Sequence, residues 1–398
     1  MRRRALLALS PAALAVPMLP RATAGKEASV LLPASTGVDD TSVINAALAA
    51  GRLVTGLAGE TYLISAPLVV GSGTTLDMTA CTVTLLPGSN CHMVENVAVA
   101  GAGRDHDITI VGGTWVRGAN AGVGNDRHSL FFRRADRLNV RDLRVTSTGG
   151  KYSVAAGDVT EVRVHDISLT TASDGVHITG PARAVDIRGI SGTTGDDMVA
   201  LTARDWAAYD DVHGDIDDVI IDGVYAAGSA AAVKIISGTD TAVSAVSVSH
   251  VYGTTTIRPI AIIDDTTGPT VADGIVISDL DVQCTNPTYS LIWLRGVAST
   301  DITIRDVRVR RPLVNAWTPM VLVDRTTNIG SLTIDGWLLS PDAVTTSPIV
   351  GVFGTAHVGV LRLSRVRTPA AMAWPGPPIK VGGSGTVTSS SAADVATY

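Results

Sequence analysis

Nine short segments of the chain repeat one pattern: apolar, any residue, apolar, two polar or small residues, apolar. They lie at 138–143 (LNVRDL), 162–167 (VRVHDI), 185–190 (VDIRGI), 219–224 (VIIDGV), 246–251 (VSVSHV), 275–280 (IVISDL), 302–307 (ITIRDV), 332–337 (LTIDGW) and 361–366 (LRLSRV). The second apolar positions are Val140, Val164, Ile187, Ile221, Val248, Ile277, Ile304, Ile334 and Leu363, spaced by 24, 23, 34, 27, 29, 27, 30 and 29 residues. Alternation with a period of two marks a strand with one buried face, and the small or polar pair after it marks a bend. One such coil cannot bury its inner face alone, whereas stacked coils can, with their strands pairing in parallel along the axis. The expected fold class is therefore all-β, a right-handed parallel β-helix. A tenth unit, ITIVGG at 108–113, opens the regular stack.

The ends of such a rod need covering, because the first coil exposes apolar core and an unpaired strand edge. Residues 40–50 (DTSVINAALAA) carry a helix start signal and stop at Gly51, so they are read as the N-terminal cap. Four regions follow from this reading. Residues 1–24, with a basic start, an apolar stretch and a small-residue site at Ala22-Thr23-Ala24, are read as a signal peptide. Residues 25–106 hold the cap and first coils, and 107–368 the regular helix. Residues 369–398, beginning PAAMAWPGPP and running into Gly, Ser and Thr, are expected to be a flexible tail. The signal implies a secreted, extracellular mature protein, and no later segment reads as membrane-spanning.

Composition changes this picture little. A chain of 398 residues would by length alone suggest two or three domains, but a solenoid grows without splitting. The net charge of −6 argues against nucleic acid as a partner. Cys81, Cys91 and Cys284 are odd in number and lack metal-ligand spacing; they read as buried thiols, with a Cys81–Cys91 pair as the alternative. Of the 31 basic residues only Lys26, Lys151, Lys234 and Lys380 are lysines, which makes the two mid-chain lysines stand out.

Aligning coils on their anchors places Asp174 and Asp197 at equivalent positions, each ten residues after its anchor. They should stack in neighbouring coils, about 4.8 Å apart, with Asp196 beside them. Counting back thirteen residues from the following anchor gives a stripe of Arg127 or His128, Lys151, Asp174, then Lys234 and Asp264 near the same line. Stacked carboxylates repel, and one is driven towards its protonated form. A neutral acid beside an ionised base is what glycoside hydrolysis requires. The 34-residue coil carries its excess at 203–217 (ARDWAAYDDVHGDID), which must project as a loop. Its Trp206, Tyr209, Asp210, Asp211 and His213 would wall a sugar cleft. Trp293 and Arg295 read equally as a distal subsite or as packing. His177, alternating with Val176 and Ile178, reads as a structural hydrogen-bond partner, and His165, His250 and His357 as solvated bend residues.

At SDGVHI (173–178), GDDMVAL (195–201) and AVK (232–234) the chain resembles the polygalacturonase-like β-helix hydrolases, glycoside hydrolase family 28. That family carries an Asn-Thr-Asp-Gly segment, an Asp-Asp pair about one coil later, a Gly-His-Gly segment and an Arg-Ile-Lys segment. The resemblance implies Asp174 and Asp197 as base-side carboxylates, Asp196 as the general acid, and inversion at the anomeric carbon. It also implies His213 and Lys234 as substrate-binding residues. Ala172-Ser173 stand where the family has Asn-Thr, and Ala232 where it has Arg. The segment from TGVDDTSVINAAL onward looks like the cap of β-helical phage tailspikes and secreted depolymerases.

The expected function is a secreted glycoside hydrolase acting on an extracellular or cell-wall polysaccharide, needing no cofactor, as a monomer or homotrimer. Asp174, Asp196 and Asp197 are its catalytic candidates. Lys151, Lys234, His213, Trp206, Tyr209 and His128 are its substrate-binding candidates. Two alternatives remain. One is a calcium-dependent polysaccharide lyase, with lysine abstracting a proton beside a uronate. The other is a glycan-binding module without catalysis.

Overall fold

The computed structural model describes residues 29–118, 127–205, 212–264, 268–286, 288–310, 318–340, 348–368 and 378–397. The signal-peptide reading at 1–24, and Trp206, Tyr209, Asp210 and Asp211, lie outside the described residues. The chain is a right-handed parallel β-helix in which every strand pairing is parallel and joins one coil to the next.

The repeat seen in the sequence is the inner column of this stack. Val140 pairs with Val164, Val164 with Ile187, Ile187 with Ile221 and Ile221 with Val248. The column continues through Ile277, Ile304, Ile334 and Leu363. All of these side chains are buried. The residue two places after each anchor turns the corner in the left-handed region. Asp142, Asp166, Gly189, Gly223, His250, Asp279, Asp306, Gly336 and Arg365 have φ between 50° and 74°. Aspartate and glycine dominate there because they tolerate this conformation best. The polar or small pair of the sequence pattern is thus a backbone requirement.

The cap forms as expected, as a helix at Thr41–Ala50 that seats Ile44, Ala47 and Leu48 on the core. Asp40 precedes it, and its carboxylate accepts from Ser35 Oγ and from the backbone N–H groups of Thr36 and Leu63. Asn45 covers the strand edge: its Oδ1 accepts from the Val69 N–H, and its Nδ2 donates to Pro67 O, each at 2.9 Å.

The far end differs from expectation. The segment read as a flexible tail contains two further strands, Ile379–Val381 and Thr386–Thr397, paired with the preceding coil. Ala392 continues the anchor column beneath Leu363, Val395 pairs with Val366, and Asp394 turns the corner at φ 53°. The segment is an eleventh copy of the pattern, in which Ser390 stands opposite Leu361. A hydroxyl at the first apolar position hid it from a hydrophobicity reading. Cys81, Cys91 and Cys284 are all unpaired, and Cys91 is only half-buried.

Candidate active site

Four strand segments build the site: Val154–Thr171, Val176–Thr194, Asp197–Thr202 and Ile216–Ser237. Val176 pairs with Val199, which sets Asp174 directly over Asp197. The Gly175 N–H donates to Asp197 O at 2.9 Å, and the Ser153 N–H to Asp174 O at 3.1 Å. Glycine is required beside each carboxylate. A Cβ on Gly175 would collide with Leu169 and the backbone of Met198, and one on Gly195 with the backbone of Ala172. The neighbouring coils therefore approach closely only with glycine at these two positions.

One oxygen from each of Asp174, Asp196 and Asp197 lies within 4.8 Å of the others. Asp174 and Asp197 are buried and Asp196 is half-buried. Lys234 Nζ sits 2.9 Å from Asp197 Oδ2. Burial pushes the Asp197 carboxyl up to about 7, and the charges of Asp174 and Asp196 add to this against the opposing pull of Lys234. Burial alone would lower Lys234. The charge and hydrogen bond of Asp197, with Asp196 and Asp174, outweigh burial and hold the ammonium above its usual range. Asp197 thus binds its proton more tightly than a free carboxylate does.

The carboxylates line a depression of about 40 Å³, shared with Lys151, Tyr152, His177, Ala200, Thr202, Asp205, Lys234 and Ile236. This is room for at least one water molecule, which needs roughly 10–15 Å³ of such space. Asp174 Oδ1 is buried and accepts no hydrogen bond from the described residues. Three carboxylates this close could in principle hold a divalent cation, but the Lys234 ammonium already supplies the positive charge beside Asp197.

Of the residues named from sequence, Asp174, Asp196, Asp197, Lys151 and Lys234 come together here. The predicted stripe is corrected in three places. The residue in register with Asp174 is Tyr152, one place after Lys151, because the ladder slips between Gly157 and Val159. Asp197 is in register with Ala231, and Lys234 reaches it from three residues further along the strand. Asp264 lies in the next coil, opposite Ser237, where it pairs with Arg295 and Arg325 and not with the cavity.

His128 is also corrected. It is buried in a column of stacked rings, 4.9 Å from Tyr152 and 5.3 Å from His92, and does not line the depression. Its Nδ1 accepts the Tyr152 N–H at 3.2 Å. Burial first, then the nearby charges of His92 and Arg133, hold its pKa well below the usual histidine value. A neutral buried ring of this kind is a spacer, not a sugar ligand. His213 is exposed and outside the depression. The extra residues of the long coil do fall between Thr202 and Ile216, since Leu201 pairs with Ile235 and Ala182 with Ile216.

Sequence reasoning missed Asp205 and Tyr152. Asp205 belongs to the insertion, has no counterpart in neighbouring coils, and so left no periodic signal. It is buried and accepts a hydrogen bond from Tyr152 Oη at 3.1 Å. His177 was legible as a hydrogen-bond partner: its Nδ1 lies 2.7 Å from Asp174 Oδ2.

No protein-family model matches the chain, and no curated protein matches it. Solved structures do. The polygalacturonase of Erwinia carotovora ssp. carotovora superposes with a TM-score of 0.59 at 15% identity, covering 82% of this chain and 97% of that one. A hyperthermoactive exopolygalacturonase from Thermotoga maritima gives 0.53 at 10% identity, over 84% and 91%. A tailspike mutant of E. coli bacteriophage HK620, in complex with a hexasaccharide, gives 0.54 at 10% identity, over 90% and 74%. The chain has the polygalacturonase-like parallel β-helix fold.

Proposed function

We propose that this polygalacturonase-like β-helix is a secreted glycoside hydrolase that cleaves an extracellular or cell-wall polysaccharide. The observation that carries the reading is the set of three carboxylates within 4.8 Å around a depression that admits water. Hydrolysis of a glycosidic bond needs a proton for the leaving oxygen and a carboxylate to activate water. In this reading Asp196, the half-buried member, delivers the proton. Asp174 and Asp197 hold and activate the water. Burial keeps a proton on Asp197 below about pH 7, so Asp197 positions the water and Asp174 takes the water's proton. Lys234 neutralises part of the negative charge, and with Lys151 it lines the depression that the substrate hydroxyls would enter.

The fold likeness to enzymes named polygalacturonases, and to a tailspike bound to a hexasaccharide, supports a polysaccharide ligand. A lyase would need a lysine ready to accept a proton, whereas the carboxylates keep Lys234 as an ammonium. We propose inversion as the stereochemical course. The nearest oxygens are closer than the roughly 6.5–9.5 Å between carboxyl groups usual for inverting enzymes, so the product anomer is an informative readout. The test is a panel of purified polysaccharides, with products followed by mass and by proton NMR at early times. Reducing ends with inverted configuration and a gain of one water are expected. Unsaturated products, or binding without turnover, would overturn the reading.

A further inference from the structure

Within the hydrolase reading, we propose that His177 is the positioning residue that makes Asp174 the water-activating carboxylate, and that Asp205 and Tyr152 hold His177 in place for it. The geometry starts from the neighbouring coils. His177 is in register with Ala155 on one side and Ala200 on the other. These two small residues leave room for an imidazole lying along the stack. Tyr152 fills the remaining space, its ring stacked on His177 with centroids 3.8 Å apart and planes 8° apart.

Both ring nitrogens then face carboxylates. Nδ1 is 2.7 Å from Asp174 Oδ2, and Nε2 is 3.5 Å from Asp205 Oδ2. Tyr152 Oη donates to the same Asp205 oxygen. The side chains of His177, Asp174 and Asp205 are 4%, 5% and 6% exposed, so solvent screens this chain of charges poorly. Burial works against a charged ring, but the Asp174 hydrogen bond and the charges of Asp174 and Asp205 outweigh it and raise His177 to about 9; Nε2 faces Asp205 at ion-pair distance without a hydrogen bond. The other charged groups around it are Asp196, Asp197, Lys151 and Lys234 in the depression, and the ring of His128 beyond Tyr152.

The consequence falls on the two stacked aspartates, which the repeat makes equivalent in register but which differ in partners. Asp197 is tied through Oδ2 to the flexible ammonium of Lys234. Asp174 is tied through Oδ2 to a rigid ring that is itself anchored, which leaves Oδ1 as the oxygen with no partner among the described residues. A carboxylate fixed on one oxygen by a buried imidazolium presents the other in a single orientation. That is the arrangement a base needs to hold one water. Asp205 comes from the long insertion, so the insertion supplies a residue that orders the base.

The experiment compares His177→Gln and Asp205→Asn with the wild type on the polysaccharide that the wild type cleaves, and reads kcat, KM and the pH–rate profile. His177→Gln keeps hydrogen-bonding groups but removes the charge. Its kcat is expected to fall at least tenfold with KM within about twofold. The acidic limb of its profile should move up by roughly one unit, the size of losing an opposite charge within 4–6 Å. Asp205→Asn, which leaves the His177–Asp174 contact in place, should lower kcat by less than His177→Gln does. A folded His177→Gln enzyme with an unmoved limb and near-wild-type kcat overturns the proposal, as does a loss of thermal stability alone. A second arm needs no substrate: ¹⁵N NMR of histidine-labelled protein, with His177 assigned by its absence in His177→Gln. A doubly protonated ring at pH 7.5 that becomes neutral in Asp174→Asn is expected, and a neutral ring in the wild type would refute the pairing. A wild type that cleaves no polysaccharide fails the hydrolase reading. An active wild type with an unchanged variant profile fails this proposal alone.

Discussion

Two charged clusters lie in adjacent coils of the stack, and they are built on opposite balances. Around the depression, Asp174, Asp196 and Asp197 crowd together with one buried ammonium, and the proton affinity of Asp197 rises. One coil further on, Asp264 is matched by two guanidinium groups, Arg295 and Arg325. There Arg295 and Arg258 lie against the face of Trp293, whose Nε1 donates to Asp324. The sequence stripe ran through both clusters without distinguishing them. The difference teaches that a row of acids on a solenoid face is ambiguous until its cations are counted. Paired acids brace the wall, and acids in excess of their partners store proton affinity that chemistry can draw on.

The contrast can be broken most severely at the carboxylates. Asp196→Asn is expected to lower turnover by roughly 10²–10⁴-fold, while Asp264→Asn leaves it within about threefold. Steady-state rates on the cleaved polysaccharide, with circular dichroism as a folding control, decide the point. A catalytic loss at Asp264 equal to that at Asp196 would erase the distinction.

Proton affinity gives the next largest effect. Asp197 is an acid whose folded pKa is raised, so the folded state favours the protonated cluster. Activity that requires this proton is present below about 7 and falls as pH climbs through it. A kcat profile rising through pH 7 to 9 would contradict the assignment.

Stability should separate the clusters by sign. The raised Asp197 lowers stability as pH rises from about 4 through 7, because the ionised form is disfavoured by burial. Replacing the pair together, Asp197→Asn with Lys234→Met, is expected to stabilise the fold at pH 8 by roughly 1–4 kcal/mol, since buried ion pairs are often costlier than apolar groups. Asp264→Asn leaves two guanidinium groups facing a neutral amide and should destabilise by roughly 1–3 kcal/mol. Urea unfolding at pH 8 measures both. The smallest effect belongs to exposed pairs: Asp335→Asn, which releases Arg365, should change stability by about 0–1 kcal/mol.

The coil architecture was legible because each coil repeats the same steric demand. The anchor column and the αL corner recur in all nine segments, so ten-residue counts from Val164 and Ile187 placed Asp174 and Asp197 correctly. Counting failed where a coil changed length between anchors. The slip between Gly157 and Val159 exchanged Lys151 for Tyr152 in the row. It failed again where reach replaced register, as with Lys234, whose long side chain crosses from a position opposite Ala200. His128 misled because a histidine in the right row can be swallowed by ring stacking. Asp205 gave no signal because an insertion has no neighbour to be compared with. The C-terminal coil was overlooked because serine and alanine occupy the positions where leucine marks the coil before it.

The corner ladder has one more consequence, for inheritance. At the bends the fold asks for a backbone conformation, and along the columns for any side chain that is apolar or small. Neither demand names a particular amino acid, since Asp, Gly, His and Arg all occupy the corner and Val, Ile and Leu the column. A lineage under such rules can exchange nearly every letter while its cross-section stays constant. Shape can then be shared without spelling, as it is between this chain and solved structures at 10–15% identity.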